Sequence, residues 1–309
     1  MNIVIYLVTA ATLITFGVII ANLVLESNAI RKLSPLIKPF CHASNLPKEC
    51  VFSLFASFFN PTAGQSTLAG FYREGKIGDK ETILTVVMCT FPIVIGESLL
   101  RVQAPIALVL LGPYIGGIYI CLNLFSAFLQ SSAAFVYSRL HFPVRRCFDT
   151  EMQVNLTETS RDQKLKTALK KSVTTLKKII PIMVVSFLIV DLLFALGVMD
   201  YISSFFFPVL NLLDLPGECI TALIADLAHF SAGYATVAAL MAKGVLNAKQ
   251  ALITLLIGSM LITTLVYLKI SLPMYISLFG RLGMKMVVIN YLCSIVAKVF
   301  VIALVVTVM

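Results

Sequence analysis

The chain has 309 residues, of which 59% are hydrophobic and 13% charged. Soluble globular domains carry about 25% charged residues, so this composition excludes a water-soluble fold and indicates an integral membrane protein. The net charge of +9 fits Lys- and Arg-rich loops beside anionic lipid headgroups, and no basic region alternates with aromatics in the manner of a nucleic-acid binder.

The first apolar run, residues 3–25, has no basic leader and is long for a signal peptide, so it reads as a retained transmembrane helix. Residues 26–38, with Arg31, Lys32 and Lys38, suit a segment lying at the interface. Pro47 opens the next element, as proline does in a first helical turn. That element is apolar over 51–72 except for Asn60-Pro61-Thr62-Ala63-Gly64-Gln65-Ser66-Thr67, a polar and helix-breaking stretch. At membrane depth such a break survives only where protein or a solvated cavity satisfies its backbone. A charged turn follows, then a helix over about 82–96 and a second interruption at 96–105 that holds Glu97, Ser98, Arg101 and Pro105. A short apolar piece ends at Gly112-Pro113, and a long helix covers 114–135.

Residues 139–178 carry ten Lys or Arg against four acids, with Ser160 placed to cap a surface helix over 161–178. They read as a basic cytoplasmic linker between a first unit, 1–138, and a second, 179–309. The seven cysteines are scattered without a CxxC pair, which fits neither a disulfide framework nor a zinc site.

The second unit repeats the first. At a spacing of 169 residues, Asn45-Leu46-Pro47-Lys48-Glu49-Cys50 matches Asp214-Leu215-Pro216-Gly217-Glu218-Cys219, Ala63-Gly64 matches Ala232-Gly233, and Thr67, Gly75 and Lys80 match Thr236, Gly244 and Lys249. At a spacing of 168, Arg101, Pro105 and Gly112 match Lys269, Pro273 and Gly280. The polar break therefore returns at His229-Phe230-Ser231-Ala232-Gly233-Tyr234-Ala235-Thr236. Two matching breaks in two halves are the best sequence pointer to a transporter's binding site.

Charge sets the expected orientation. Arg31, Lys32, Lys38 and Lys48 precede the 51–72 run, and Arg73, Lys76 and Lys80 follow it. The positive-inside rule places both ends in the cytoplasm, so the run enters and returns as a re-entrant hairpin. Each repeat then has three crossings and the repeats are inverted. The N-terminus lies outside, 139–178 inside, and the loop 200–218, which has no Lys or Arg, outside.

The hairpin breaks at Ala63-Gly64-Gln65-Ser66 and Ala232-Gly233-Tyr234, with Phe91-Pro92 through Arg101-Val102-Gln103-Ala104-Pro105 and with residues 269–280, resemble the Gate, or nucleoside recognition, superfamily. That group includes the concentrative nucleoside transporters and the membrane core of ferrous-iron transporters. The resemblance implies an all-α integral membrane architecture of two inverted Gate-type repeats, whose hairpin tips and broken helices face one another at mid-membrane. The chain departs from both activities. Asn60–Thr67 and Gly96-Glu97-Ser98 stand where the iron transporters carry cysteines. Residues 70–77 lack the final Ser/Thr of a phosphate loop. The extra helices of the nucleoside carriers are missing, and the carboxylate sits elsewhere.

The expected site draws on these segments. Asp226 and His229, one turn apart, are ionisable groups inside the membrane, suited to a coupling proton or cation, or else to pairing with each other as a structural staple. Asn60, Gln65, Ser66 and Thr67 stand at the first hairpin, to contact a polar solute or to cap the broken helix. Glu97 and Ser98 flank the other break, with Arg101 one turn on. Ser231, Tyr234 and Thr236 form the symmetry-related lining, followed by Tyr267 and Lys269. Lys298, mid-way along the last helix, needs a partner or water, for a structural pairing or for contact with the solute, and Asn22 and Asp191 suit interhelical hydrogen bonds.

Three functions fit. The leading one is a cell-membrane transporter of a small polar solute, with nucleosides among the candidates, working by alternating access around the two hairpins. A divalent metal-ion permease using Asp226, His229 and Glu97 is the second. A non-transporting module docking a partner protein through 139–178 is the third. No catalytic arrangement is present, so an enzyme is not expected. No resident cofactor or metal is expected either, only a coupling H+ or Na+. The expected partners are the bilayer and the solute, with homo-oligomerisation left open and nucleic acid excluded.

Overall fold

The computed structural model describes residues 34–95, 103–143, 173, 215–228 and 230–309. The first crossing of each expected repeat and most of the basic linker lie outside these residues, as do Asn22, Asp191, Glu97, Ser98, Arg101 and His229. Among the described residues every regular element is helical.

Helix α1 (Ser34–Ser44) ends at Asn45, whose φ of 56° is the left-handed conformation that Asn tolerates. The Asn45 amide donates to the carbonyls of Arg139 and Phe142 at 3.0 and 3.2 Å, and Ser138 Oγ donates to the Ser44 carbonyl at 2.6 Å. These bonds pin α1 to the end of the helix that leads into the linker.

Helices α2 (Lys48–Phe59) and α3 (Pro61–Arg73) are separated by Asn60 alone. The interruption expected over eight residues is thus one residue long, for a local reason. Asn60 caps α3 by accepting from the Ala63 N–H at 3.0 Å, and Pro61 occupies the first turn, where no donor is needed. Gly64 does not break the helix. It lets the arms meet: a Cβ there would lie 2.6 Å from Ser57 N and 2.7 Å from Ser57 Cα. Small residues at such contacts are how helices pack in lipid, where burial supplies little drive.

Gly75, at φ 69°, turns the chain into α4 (Asp79–Met88), where the Glu81 carboxylate accepts from the Gly78 N–H at 2.7 Å. A short α5 (Thr90–Ile93) precedes the second break. Helix α6 (Ala104–His141) reverses at Gly112, with φ 77° and ψ 167°. A Cβ on Gly116 would lie 2.6 Å from the Ala107 carbonyl oxygen, so 104–111 folds back on the long piece that follows. That piece runs to His141 rather than to 135, so Arg139 is its last-turn cation.

The second half runs through the same elements. Helices α7 (Cys219–Ala228) and α8 (Phe230–Ala242) form the hairpin, and Gly244, at φ 71°, turns into α9 (Ala248–Val266). A π-helical segment, Tyr267–Ser271, takes the place of the break, followed by α10 (Leu272–Phe279), a reversal at Gly280 (φ 61°) and α11 (Arg281–Val308).

Among the described residues, three stretches are long and apolar enough to cross a membrane: Ile106–His141, Ala248–Phe279 and Arg281–Val308. The 28 residues of α11 span about 42 Å at 1.5 Å per residue, against about 30 Å of hydrocarbon. Met284, Val288, Leu292 and Val296 recur along one exposed stripe of α11, an apolar face suited to lipid.

Among the described residues, two separate cores hold the helices together, and each draws on both halves. One joins Phe52, Leu68, Phe71 and Val87 to Tyr275, Leu278 and Met286. The other joins Leu223, Tyr234, Val237 and Leu256 to Ala107, Ile115 and Tyr119. Each hairpin and the helix after it pack on the reversal piece of the opposite half. Arg73, at the end of α3, bonds across this boundary to the last carbonyls of α10, with Leu278 at 2.7 Å.

Candidate functional site

In the first hairpin the expected residues fall into two kinds. Thr67 Oγ1 donates to the Ala63 carbonyl at 2.8 Å and Asn60 caps α3, so both serve the local backbone. Gln65 and Ser66 do not. Gln65 is 1% exposed and Ser66 5%, yet Gln65 Nε2 and Oε1 and Ser66 Oγ have no hydrogen-bond partner. Three polar atoms without partners, within two consecutive residues of one buried helix, are rare in native interiors.

In the second hairpin Thr236 repeats the behaviour of Thr67, donating to Ala232 at 2.8 Å. Ser231 is half-buried in α8. Tyr234 is fully buried, and its hydroxyl donates to the Tyr119 hydroxyl at 3.1 Å, with the rings edge-on at 5.4 Å. Tyr267, at the break, packs its ring 5.4 Å from Tyr291. Asp226 is 5% exposed, and its Oδ1 has no partner. Its carboxyl fills a slot between two glycines: a Cβ on Gly233 would lie 2.6 Å from Asp226 Cγ, and one on Gly258 3.1 Å from it. Lys298 bonds elsewhere, donating to Ser259 Oγ at 2.7 Å and to the Ser259 carbonyl at 3.2 Å. No ion pair joins it to Asp226, although its field reaches that carboxyl.

The structure therefore gathers Asp226, Tyr234 and Lys298 with Tyr119 and Ser259, and keeps Gln65 and Ser66 on the other hairpin. Tyr119 and Ser259 escaped the sequence reading, as did a polar network in which Gln130 Nε2 donates to Asn290 Oδ1 at 2.7 Å and Thr90 donates to the same oxygen at 3.2 Å. The signal was present in the repeat spacing. At 169 residues Ser57, Gly64, Cys89 and Thr90 align with Asp226, Gly233, Gly258 and Ser259, and at 168 Gln130 aligns with Lys298. One three-helix junction occurs twice. In the first copy it holds the Ser57 hydroxyl, which donates to Ser53 O at 2.9 Å and meets Cys89 Sγ at 3.4 Å. In the second it holds a carboxyl group.

The family model described as nucleoside recognition, Gate, matches residues 7–107 and 176–282, well over half of the chain. The chain belongs to the Gate family. The two matched stretches of this Gate protein begin 169 residues apart, the spacing at which residues of the two halves of the sequence coincide, and end beside the reversals at Gly112 and Gly280. Similar proteins come from Methanocaldococcus jannaschii. One uncharacterized protein is 46% identical, covering 98% of this chain and 98% of its own. A second is 27% identical over 96% of this chain and 92% of its own, and a third 26% over 94% and 91%. No solved structure matches the chain. Family and apolar helices together make this a membrane protein of transporter-like kind.

Proposed function

We propose that this Gate protein carries a small polar solute across the cell membrane by alternating access around its two hairpins, with nucleosides among the candidates. In this reading the repeats are inverted, each with three crossings and a re-entrant hairpin. The N-terminus is outside and the 139–178 linker cytoplasmic. The paired left-handed glycines at 75 and 244 and at 112 and 280 support two copies of one unit. So do the two cores, each combining one half's hairpin with the other half's reversal piece.

The observation that carries the reading is the unpartnered amide of Gln65, next to the unpartnered hydroxyl of Ser66. Leaving a buried polar group unsatisfied costs about 1–3 kcal/mol, so such groups persist where a ligand uses them. An amide that both donates and accepts, beside a hydroxyl, suits a solute with mixed donors and acceptors rather than a transition metal.

The test is uptake into proteoliposomes of radiolabelled nucleosides, with Fe2+ and Mn2+ in parallel. A nucleoside should accumulate, and Gln65→Leu should lower its uptake about tenfold, the loss of about 1.4 kcal/mol of binding. The same variant should unfold at no lower temperature than wild type, because an unsatisfied polar group has been removed. Accumulation of metal ions alone, or full uptake by Gln65→Leu, would contradict the proposal.

A further inference from the structure

The two copies of the hairpin junction differ in charge. In the first, Ser57, Cys89, Thr90 and Gln130 are all neutral, and their polar atoms find partners within the network already described. In the second, the matching positions hold Asp226, Gly258, Ser259 and Lys298. Acid and base thus enter together, on α7 and α11 of the same half.

Their geometry limits what the acid can bind. A Cβ on Gly233 would fall against Asp226 Oδ1, and one on Gly258 against Asp226 Oδ2, so both oxygens press on glycine backbone. An alkali or divalent cation needs several oxygen ligands around it. Among the described residues no group of three or more His, Cys, Asp or Glu gathers here or elsewhere. A proton needs no further ligand.

The base is placed beside the acid without touching it. Lys298 Nζ is held by Ser259, the residue directly after Gly258, so ammonium and carboxyl dock on adjacent residues of α9. A bare carboxylate in this slot would be a buried charge without a hydrogen bond on Oδ1, which is costly, whereas the neutral acid fits. Among the described residues, the other titratable groups in its field are Tyr119 from α6 and Tyr234 from α8, which bond to each other. Helix α9 contributes Gly258 and Ser259 at this face.

We infer that Asp226 is a proton-binding site, that Lys298 leaves Ser259 to answer the carboxylate when the proton departs, and that the matching junction around Ser57 has no such function. The only bond that changes is the carboxyl O–H. Its proton passes to water, and a returning proton frees Lys298 for Ser259. Resting on the transport reading above, this makes one proton per chain the coupling species.

Infrared difference spectroscopy of the purified chain in lipid, titrated from about pH 5 to pH 9, tests the site without any solute. A carboxylic-acid C=O band should be lost as pH rises, and Asp226→Asn should lack it. In Lys298→Gln, which installs the residue of the matching first-half position, the band should persist about 1 pH unit or more further, because the cation favouring the carboxylate is gone. No titrating band in wild type, a band unchanged in Asp226→Asn, or an unshifted midpoint in Lys298→Gln would each overturn the inference. Failed solute uptake with the titration intact would sink the transport reading and leave the proton site standing.

Discussion

Ser57 and Asp226 hold the same place in the two hairpins, each pressed against a glycine of the opposite arm, Gly64 for Ser57 and Gly233 for Asp226. The backbone solution is shared and the chemistry is not. A close glycine contact gives each hairpin its shape, and the side chain beside it decides whether the junction is neutral or ionisable. Structure and function can therefore be perturbed separately.

Closing that contact should cost stability in either hairpin. Gly64→Ala would bring a methyl group to 2.6 Å from Ser57 N, and backbone on both sides leaves little room to yield. The expected loss is about 1–3 kcal/mol, the usual cost of overpacking. Thermal unfolding in detergent should show it, and Gly117→Ala, where a Cβ meets nothing within 4 Å, should unfold like wild type.

Asn290 is a shared acceptor between the halves, taking bonds from Gln130 at 2.7 Å and Thr90 at 3.2 Å. Asn290→Ala removes the shorter of two bonds made by the buried Gln130 amide, leaving only its 3.2 Å bond to the residue-290 carbonyl, and should cost about 1 kcal/mol. Adding Gln130→Leu removes the under-bonded group, so the double variant should recover part of the loss in the same assay. Strict additivity of the two would contradict the network.

Arg73 ties the first hairpin to α10 through the Leu278 carbonyl at 2.7 Å. Because the arginine is exposed, Arg73→Ala should cost only about 1 kcal/mol globally. Its sharper effect should be local, as faster amide exchange at residues 276–280, where the helix end loses its cap. Unchanged exchange there would show that the bond carries no load.

Much of this was legible in the sequence, because duplicated glycines and prolines mark backbone positions that few other residues can fill. Gly75 and Gly244, Gly112 and Gly280 all proved to be left-handed turns or reversals. The hairpin tips were read too broadly, since Pro61 and Gly64 look like breakers from sequence alone. In place, a capped first turn absorbs the proline, and a close helix contact requires the glycine. Lys298 was read as needing a structural partner, and it has one in Ser259. Tyr119 and Gln130 were missed because a Tyr or a Gln on a long apolar helix carries no periodic signal. Their roles come from what the opposite half places against them.

The most direct test of the inverted arrangement is labelling from each side of the membrane. Single cysteines replacing Lys48, Asp79, Glu218 and Lys249, in a background without the native cysteines, would be treated with an impermeant maleimide in sealed vesicles of known orientation. Cysteines at 48 and 79 should react together from the cytoplasmic face, and those at 218 and 249 together from the opposite face. If 48 and 79 react from opposite faces, the first hairpin crosses the bilayer and the two halves are not inverted.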